Sequence, residues 1–161
     1  MAEKTRKIKD RNQSYTETLY FEVKQTAKYC KMLGLQLFSK VNSPISPEEL
    51  IILDVVSKNP DICQRDLAKN ILKDRANTGR LLESLEKKEL IKRVVDVKNN
   101  RLVKKIVITD SGEELLEDTM ETMYPIFEEI SKSFTEEEVI QTKHLLKKMR
   151  DTFKNIVELR I

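Results

Sequence analysis

A chain of 161 residues can bury one sizeable core, and a content of 35% charged residues with no Trp suits a helical protein with large solvated faces. No apolar run approaches the ~20 residues that span a bilayer, and the basic opening MAEKTRKIKDRNQ lacks the apolar stretch of a signal peptide, so a cytoplasmic protein with no membrane partner is expected. Two cysteines, one histidine and three glycines leave little for a disulfide framework, a His-based metal site or triad, or a phosphate-cradling loop, and no enzyme, metal or cofactor is expected.

The net charge of +3 conceals a partition. Residues 63–105 hold 13 Lys and Arg against six Asp and Glu, whereas residues 106–161 hold seven against 13. A basic middle on an otherwise balanced or acidic chain points to a polyanion-binding face.

Taken in chain order, Leu19, Val23, Ala27, Cys30, Leu33 and Leu37 fall in steps of three and four, which predicts one long amphipathic helix from about Ser14 to Lys40. Ser46-Pro47-Glu48-Glu49 is a helix start, with Ser46 as N-cap, Pro47 at the first helical position and Glu49 closing a capping box. Leu50, Ile51, Leu53, Val55 and Val56 make this second helix mostly buried, and it ends near Asn59-Pro60. Asp61 is the expected cap of a short helix containing Leu67, Ala68 and Ile71, and a further helix runs from about Arg75 to Glu89.

Two Val- and Ile-rich runs follow, Ile91 to Val97 and Leu102 to Ile108, separated by Lys98-Asn99-Asn100-Arg101. This reads as a hairpin, because Asn tolerates the positive φ of a tight turn. Thr109 or Asp110 then caps a helix with the stripe Leu116, Met120, Met123, Phe127, Ile130 and Phe134, in which Pro125 is expected to cause a kink or register shift. Thr135 to Glu138 opens a last helix through a second capping box.

Residues 62–89 therefore read as a helix-turn-helix, and the ribbon after them as a wing. The second helix of such a unit enters the major groove with its N-terminal residues at base edges. Here those residues are Arg75, Asn77 and Thr78. Arg pairs with guanine O6 and N7, and Asn with adenine N6 and N7, while Ala76 is placed for a thymine methyl group. Arg80, one turn on, is expected on phosphate. Gly79 inside this helix costs ~1 kcal/mol relative to Ala; close approach to DNA or to the neighbouring helix would explain it, and so would a tolerated weakness. At the ribbon tip, Arg101 is the candidate for a narrow minor groove, with Lys98, Lys104 and Lys105 as phosphate contacts.

The segments RDLAKNI, DRANTGRLLESLEKKELIKR, NNR and VITDSGEEL, in that order, resemble the MarR family of winged helix-turn-helix regulators. The last is similar to the family's LTxxG start of a long fifth helix. The family usually has Gly where Glu89 stands, and Asp where Asn99 stands. The resemblance implies a mainly α (α+β) fold: an N-terminal arm and dimerisation helix over residues 1–45, a winged DNA-binding lobe over 46–110 and C-terminal dimerisation helices over 111–161, as one compact unit.

It also implies a homodimeric repressor on a pseudo-palindromic double-stranded operator, released by a small aromatic or lipophilic effector. Tyr15, Tyr20, Tyr29, Met120, Met123 and Phe127 are candidate lining for that effector, although residues at such helical spacing are more often plain core. Two alternatives stand beside this reading: a winged-helix module for an acidic protein partner, and an oxidant-sensing repressor using Cys30 or Cys63. Cys30 lies on the apolar stripe of the first helix, where a buried structural role is expected. Cys63 lies near a helix start, where a thiol pKa can fall. His144 is expected at a surface or interface.

Overall fold

The computed structural model describes residues 14–98 and 101–157. The chain divides into two compact units, Met1–Pro44 and Ile45–Ile161. In the first, a single 3-10 turn at Tyr15–Glu17 leads into α1, Leu19–Lys40. Thr18 caps α1 by accepting from the Phe21 N–H at 3.2 Å. The ring of Tyr15 packs against Tyr20 and Phe21, with centroids 6.1 and 5.6 Å away. Of the α1 residues only Phe38 is buried, and Cys30, expected inside, is exposed. The stripe periodicity is real, but within one chain it faces no core.

The second unit contains α2 (Pro47–Lys58), α3 (Gln64–Asn70), α4 (Arg75–Lys87), β1 (Ile91–Lys98), β2 (Arg101–Ile108), α5 (Asp110–Lys132) and α6 (Glu136–Ile156). The protein is thus mostly helical, with one antiparallel ribbon in the arrangement of a winged helix. Ile52, Leu53, Val56, Leu67, Leu82, Leu85, Ile91 and Ile106 build the core where α2, α3, α4 and the ribbon meet, and Leu116 and Met123 of α5 are also buried. No helix among the described residues is long and apolar enough to cross a membrane.

The ribbon register runs from Ile91 opposite Ile108 to Lys98 opposite Arg101, one pair further at the tip than the Val/Ile pattern marks. Asn99 and Asn100, expected to make the turn, lie outside the described residues. One strand element escaped the sequence reading. Cys63 bridges to Lys105, and the Ile106 N–H donates to the Ile62 carbonyl at 3.0 Å, so the residues before α3 pair with β2.

Helix boundaries follow the capping chemistry. Ser46 and Glu49 make the expected reciprocal box on α2, and Thr135 and Glu138 the one on α6. Thr109, rather than Asp110, caps α5. Asp61 does not cap α3: Cys63 holds that position, and Asp61 sits at φ 68° in a turn closed by Ile62 N–H to Asn59 carbonyl, with Pro60 ahead of it. α5 runs through Pro125 without interruption.

Three helices end on a residue in the left-handed region that is not glycine: Asn42 after α1, Leu72 after α3 and Glu89 after α4. Each closes the same pair of backbone bonds. After α4, the Leu90 N–H reaches the Leu85 carbonyl and the Glu89 N–H the Glu86 carbonyl, both at 3.0 Å. The turn for which the family favours Gly thus forms here with Glu89 at φ 59°.

Glycine is spent on space instead. A Cβ on Gly112 would stand 2.2 Å from the Leu90 carbonyl oxygen and 2.8 Å from Ile108, because the start of α5 is pressed onto the end of the ribbon. At Gly79 the close neighbour is the helix before it, with a Cβ placed 3.3 Å from Gln64 Nε2. Gly112→Ala is therefore expected to cost about 3 kcal/mol in chemical denaturation, as a forced backbone overlap does. Glu89→Gly is expected to stabilise by up to about 1 kcal/mol in the same assay, by relieving the left-handed strain of a Cβ-bearing residue.

Candidate nucleic-acid interface

The site begins at Asp74, whose carboxylate caps α4 by accepting the Asn77 N–H at 2.8 Å. Capping leaves the first turn of α4 projecting from the lobe, and Arg75, Ala76 and Asn77 are all exposed on it. Arg80 is exposed one turn later. The side-chain amide of Gln64, at the start of α3, donates to the Arg75 carbonyl at 3.2 Å and ties the two helices where they converge. Four of the five residues expected on this helix thus share its exposed N-terminal end.

Thr78 is the exception and a correction. It is fully buried, and its hydroxyl donates to the Asp74 carbonyl at 2.9 Å. A side chain one residue beyond Asn77 on a 3.6-residue helix turns away from the presented face, so Thr78 holds the turn together rather than meeting a ligand.

On the ribbon, Lys104 is exposed on β2 opposite Val95. Lys105, expected on phosphate, is instead committed to two carboxylates, Asp61 at 2.9 Å and Asp96 at 2.5 Å. Hydrogen bonding to Asp96, then to Asp61, raises its pKa above the ordinary lysine value. Lys105 thereby fastens β2 to β1 and to the turn before α3. The side chains of Lys98 and Arg101 lie outside the described residues, although their backbones pair at the ribbon end. Arg93 of β1 forms a two-nitrogen ion pair with Glu86 of α4, with its Nε 2.9 Å from the carboxylate. The hydrogen bond from Arg93 holds the Glu86 carboxyl below its usual range.

A second set of residues fixes α4 from behind. Glu49 is only 4% exposed. It accepts the Ser46 N–H at 2.7 Å within its own capping box, the Ser84 hydroxyl at 2.6 Å and the Lys88 ammonium at 2.8 and 2.9 Å. The capping half is legible as Ser-x-x-Glu. The other half joins residues 35 and 39 positions apart, a separation at which no local pattern speaks.

The six candidate effector residues are divided between the two units. Met123 is a core residue, 2% exposed. Tyr15, Tyr20 and Tyr29 are exposed in the first unit, and Met120 and Phe127 are exposed on α5. Phe127 and Tyr124 border a shallow groove of about 420 Å³ together with Glu128, Ser131 and Lys132. The Cys63 thiol donates to the Asp66 carboxylate at 3.1 Å, a bond available only while sulfur keeps its proton. That bond is the main influence holding the Asp66 carboxyl below its usual range. His144 is exposed on α6. No cluster of three potential metal ligands occurs among the described residues.

Residues 45–103, which hold α2 to the ribbon, match the MarR family. Among solved structures, the chain is similar to MepR of Staphylococcus aureus in its complex with DNA, at 26% identity and a TM-score of 0.73, covering 87% of this chain and 99% of that one. A MarR/EmrR family transcriptional regulator from Acinetobacter sp. ADP1 has a TM-score of 0.73 at 23% identity, covering 83% of this chain and 93% of that one. A MarR family protein from Bacillus stearothermophilus has a TM-score of 0.65 at 21% identity, covering 84% and 93%. No curated protein matches.

The Glu49 junction carries a pH prediction. Burial opposes its ionisation, but bonds from Lys88, Ser84 and the Ser46 N–H outweigh that and leave its pKa below the ordinary value of 4.5. A carboxyl depressed in the folded state contributes stability above its unfolded pKa and loses it as pH falls through the folded value. Glu49→Gln is therefore expected to cost about 2 kcal/mol at pH 7, the scale of hydrogen bonds to a charged group. The deficit should shrink as pH falls below 4.5 in thermal unfolding of both proteins.

Proposed function

We propose, from the match of residues 45–103 to the MarR family and the likeness of the whole chain to MepR, that the protein is a homodimeric repressor, bound to a pseudo-palindromic operator and released by a small aromatic or lipophilic effector. At the coarser level it is a DNA-binding transcriptional regulator. The observation that carries the DNA-contact part of this reading is the exposed N-terminal end of α4, where Arg75, Ala76 and Asn77 project together with Arg80 beyond them. These are residue types that match guanine, thymine-methyl and adenine edges in a major groove. Lys104 on the adjoining ribbon, with Lys98 and Arg101 toward its tip, adds positive charge for the phosphates and the flanking minor groove.

The dimer rests on apolar surface that one chain leaves open. Leu19, Tyr29, Leu33 and Leu35 of α1 are exposed, as are Phe127, Ile130 and Phe134 along and after α5 and Ile140, Leu145 and Ile156 of α6. α6 buries no residue at all among those described. Surface of this extent suits a partner of the same kind, and two-fold symmetry would present two α4 helices to half-sites ~34 Å apart. Residues 46–110 are then the DNA-binding lobe, and the helices on either side the dimerisation segments. Tyr15, Tyr20 and Tyr29 of the first unit and Met120 and Phe127, seven residues apart on one face of α5, are the exposed effector-lining candidates of this reading.

Fluorescence anisotropy with a labelled duplex from immediately upstream of the gene, against a scrambled duplex at equal salt, tests the proposal. Preference for the upstream duplex with two chains bound per duplex supports it; equal weak binding to both, or one chain per duplex, contradicts it. Arg80→Ala is expected to weaken binding to both duplexes alike and reduce the slope of log K against log salt by about 0.9, as loss of one phosphate contact does. Arg75→Ala is expected to reduce the preference itself, by about 1–3 kcal/mol.

A further inference from the structure

The N-cap of α4, Asp74, places an acidic side chain immediately before Arg75 on an otherwise basic helix start. Asp74 uses one carboxylate oxygen to accept the backbone N–H of Asn77 and the other to accept the Nδ2 of the same residue's side chain. A single carboxylate thus holds both the backbone and the carboxamide of the residue three positions on. Because an ionised carboxylate only accepts, this bond fixes which way the amide points: nitrogen toward Asp74, Oδ1 away from it. One of the two Nδ2 hydrogens is used, leaving the other and Oδ1 free of this bond. A donor beside an acceptor is what the N7 and N6–H of an adenine edge require. Bonds from the Asn77 backbone and then its side chain hold the Asp74 carboxyl below its usual range, so the clamp is charged at neutral pH.

We propose that Asp74 is a specificity-determining positioning residue, which sets the Asn77 carboxamide for base reading before DNA arrives and places a negative charge where a poorly matched duplex gains nothing to offset it. The inference rests on the DNA-reading role of α4. Its two effects have different signatures. Presetting one side chain saves the ordering cost of its rotamers, worth about two- to tenfold in affinity, and only where Asn77 meets its base. Repulsion between Asp74 and the phosphate backbone acts on every sequence alike. Asp74 therefore raises discrimination while lowering nonspecific affinity, the opposite of what the surrounding cations do.

The test is selection from a randomised duplex pool at one fixed salt, using the full chain, Asp74→Ser, Asn77→Ala and the double variant. Ser keeps an oxygen acceptor for the Asn77 N–H, so the helix start is retained, and Asp74→Thr, with the same capping chemistry, must behave alike. Asn77→Ala should flatten the base preference at one position of each half-site. Asp74→Ser should flatten that same position by about two- to tenfold and bind a scrambled duplex more tightly, and the double variant should be no flatter there than Asn77→Ala alone. An unchanged preference in Asp74→Ser and Asp74→Thr, or further flattening in the double variant, would overturn the clamp while leaving DNA reading by the unaltered chain intact. A pool in which the unaltered chain enriches no sequence would remove the DNA reading, and the clamp with it.

Discussion

The buried carboxylate of Glu49 is the constraint on which the placement of α4 depends. It starts α2 through its capping box and receives Ser84 and Lys88 from α4, so the helix that builds the core and the helix that presents Arg75 and Asn77 share one set of bonds. A charge so poorly solvated is tolerable only when its lone pairs are filled, and here three donors make four hydrogen bonds to two oxygens. The same bonds that stabilise the anion resist rotation of α4 about its axis. Arg93 and Glu86 secure the other side of α4 to β1, and Gln64 secures its N-terminus to α3. α4 is thus held from three directions, and Arg75, Ala76, Asn77 and Arg80 at its N-terminal end stay exposed.

The glycine economy follows from the same tight joining. Where other chains would use glycine for left-handed helix ends, this one places Asn42, Leu72 and Glu89 there and accepts a cost of about 1–2 kcal/mol where no side-chain bond offsets it. Gly112 is kept where a side chain has no room. The Thr109 hydroxyl donates to the Glu89 carbonyl at 2.8 Å and accepts the Gly112 N–H at 3.1 Å, so the end of α4, the base of the ribbon and the start of α5 meet at one point. Any tilt of α5 would be felt at the C-terminal end of α4 through this contact.

Charge on the lobe is sorted by the same logic. Cations near carboxylates are used to build the frame: Lys88 on Glu49, Arg93 on Glu86, Lys105 on Asp61 and Asp96, and Lys73 on Glu48 at 2.7 Å. Those without such a role, among them Arg75, Arg80 and Lys104, are exposed at the helix end and on the ribbon. Counting cations along the sequence gives the sign of the surface but overstates the number available to DNA, because several are already neutralised.

Local chemistry was legible without any structure. Ser46, Pro47 and Glu49 announce α2, Thr135 and Glu138 announce α6, and alternating Val and Ile announce the ribbon, because caps and hydrophobic periods act within four residues of themselves. The ordered combination of these signals was enough to identify the winged helix and to place Arg75, Ala76, Asn77 and Arg80 on an exposed helix start. Tertiary structure alone decided the rest. It buried Thr78, committed Lys105 to Asp61 and Asp96, left Cys30 outside and moved Met123 into the core. It also joined Glu49 to residues 35 and 39 positions away. Each of these outcomes depends on which distant surface a side chain meets, and a one-dimensional pattern records the face of an element but not what will be packed against it.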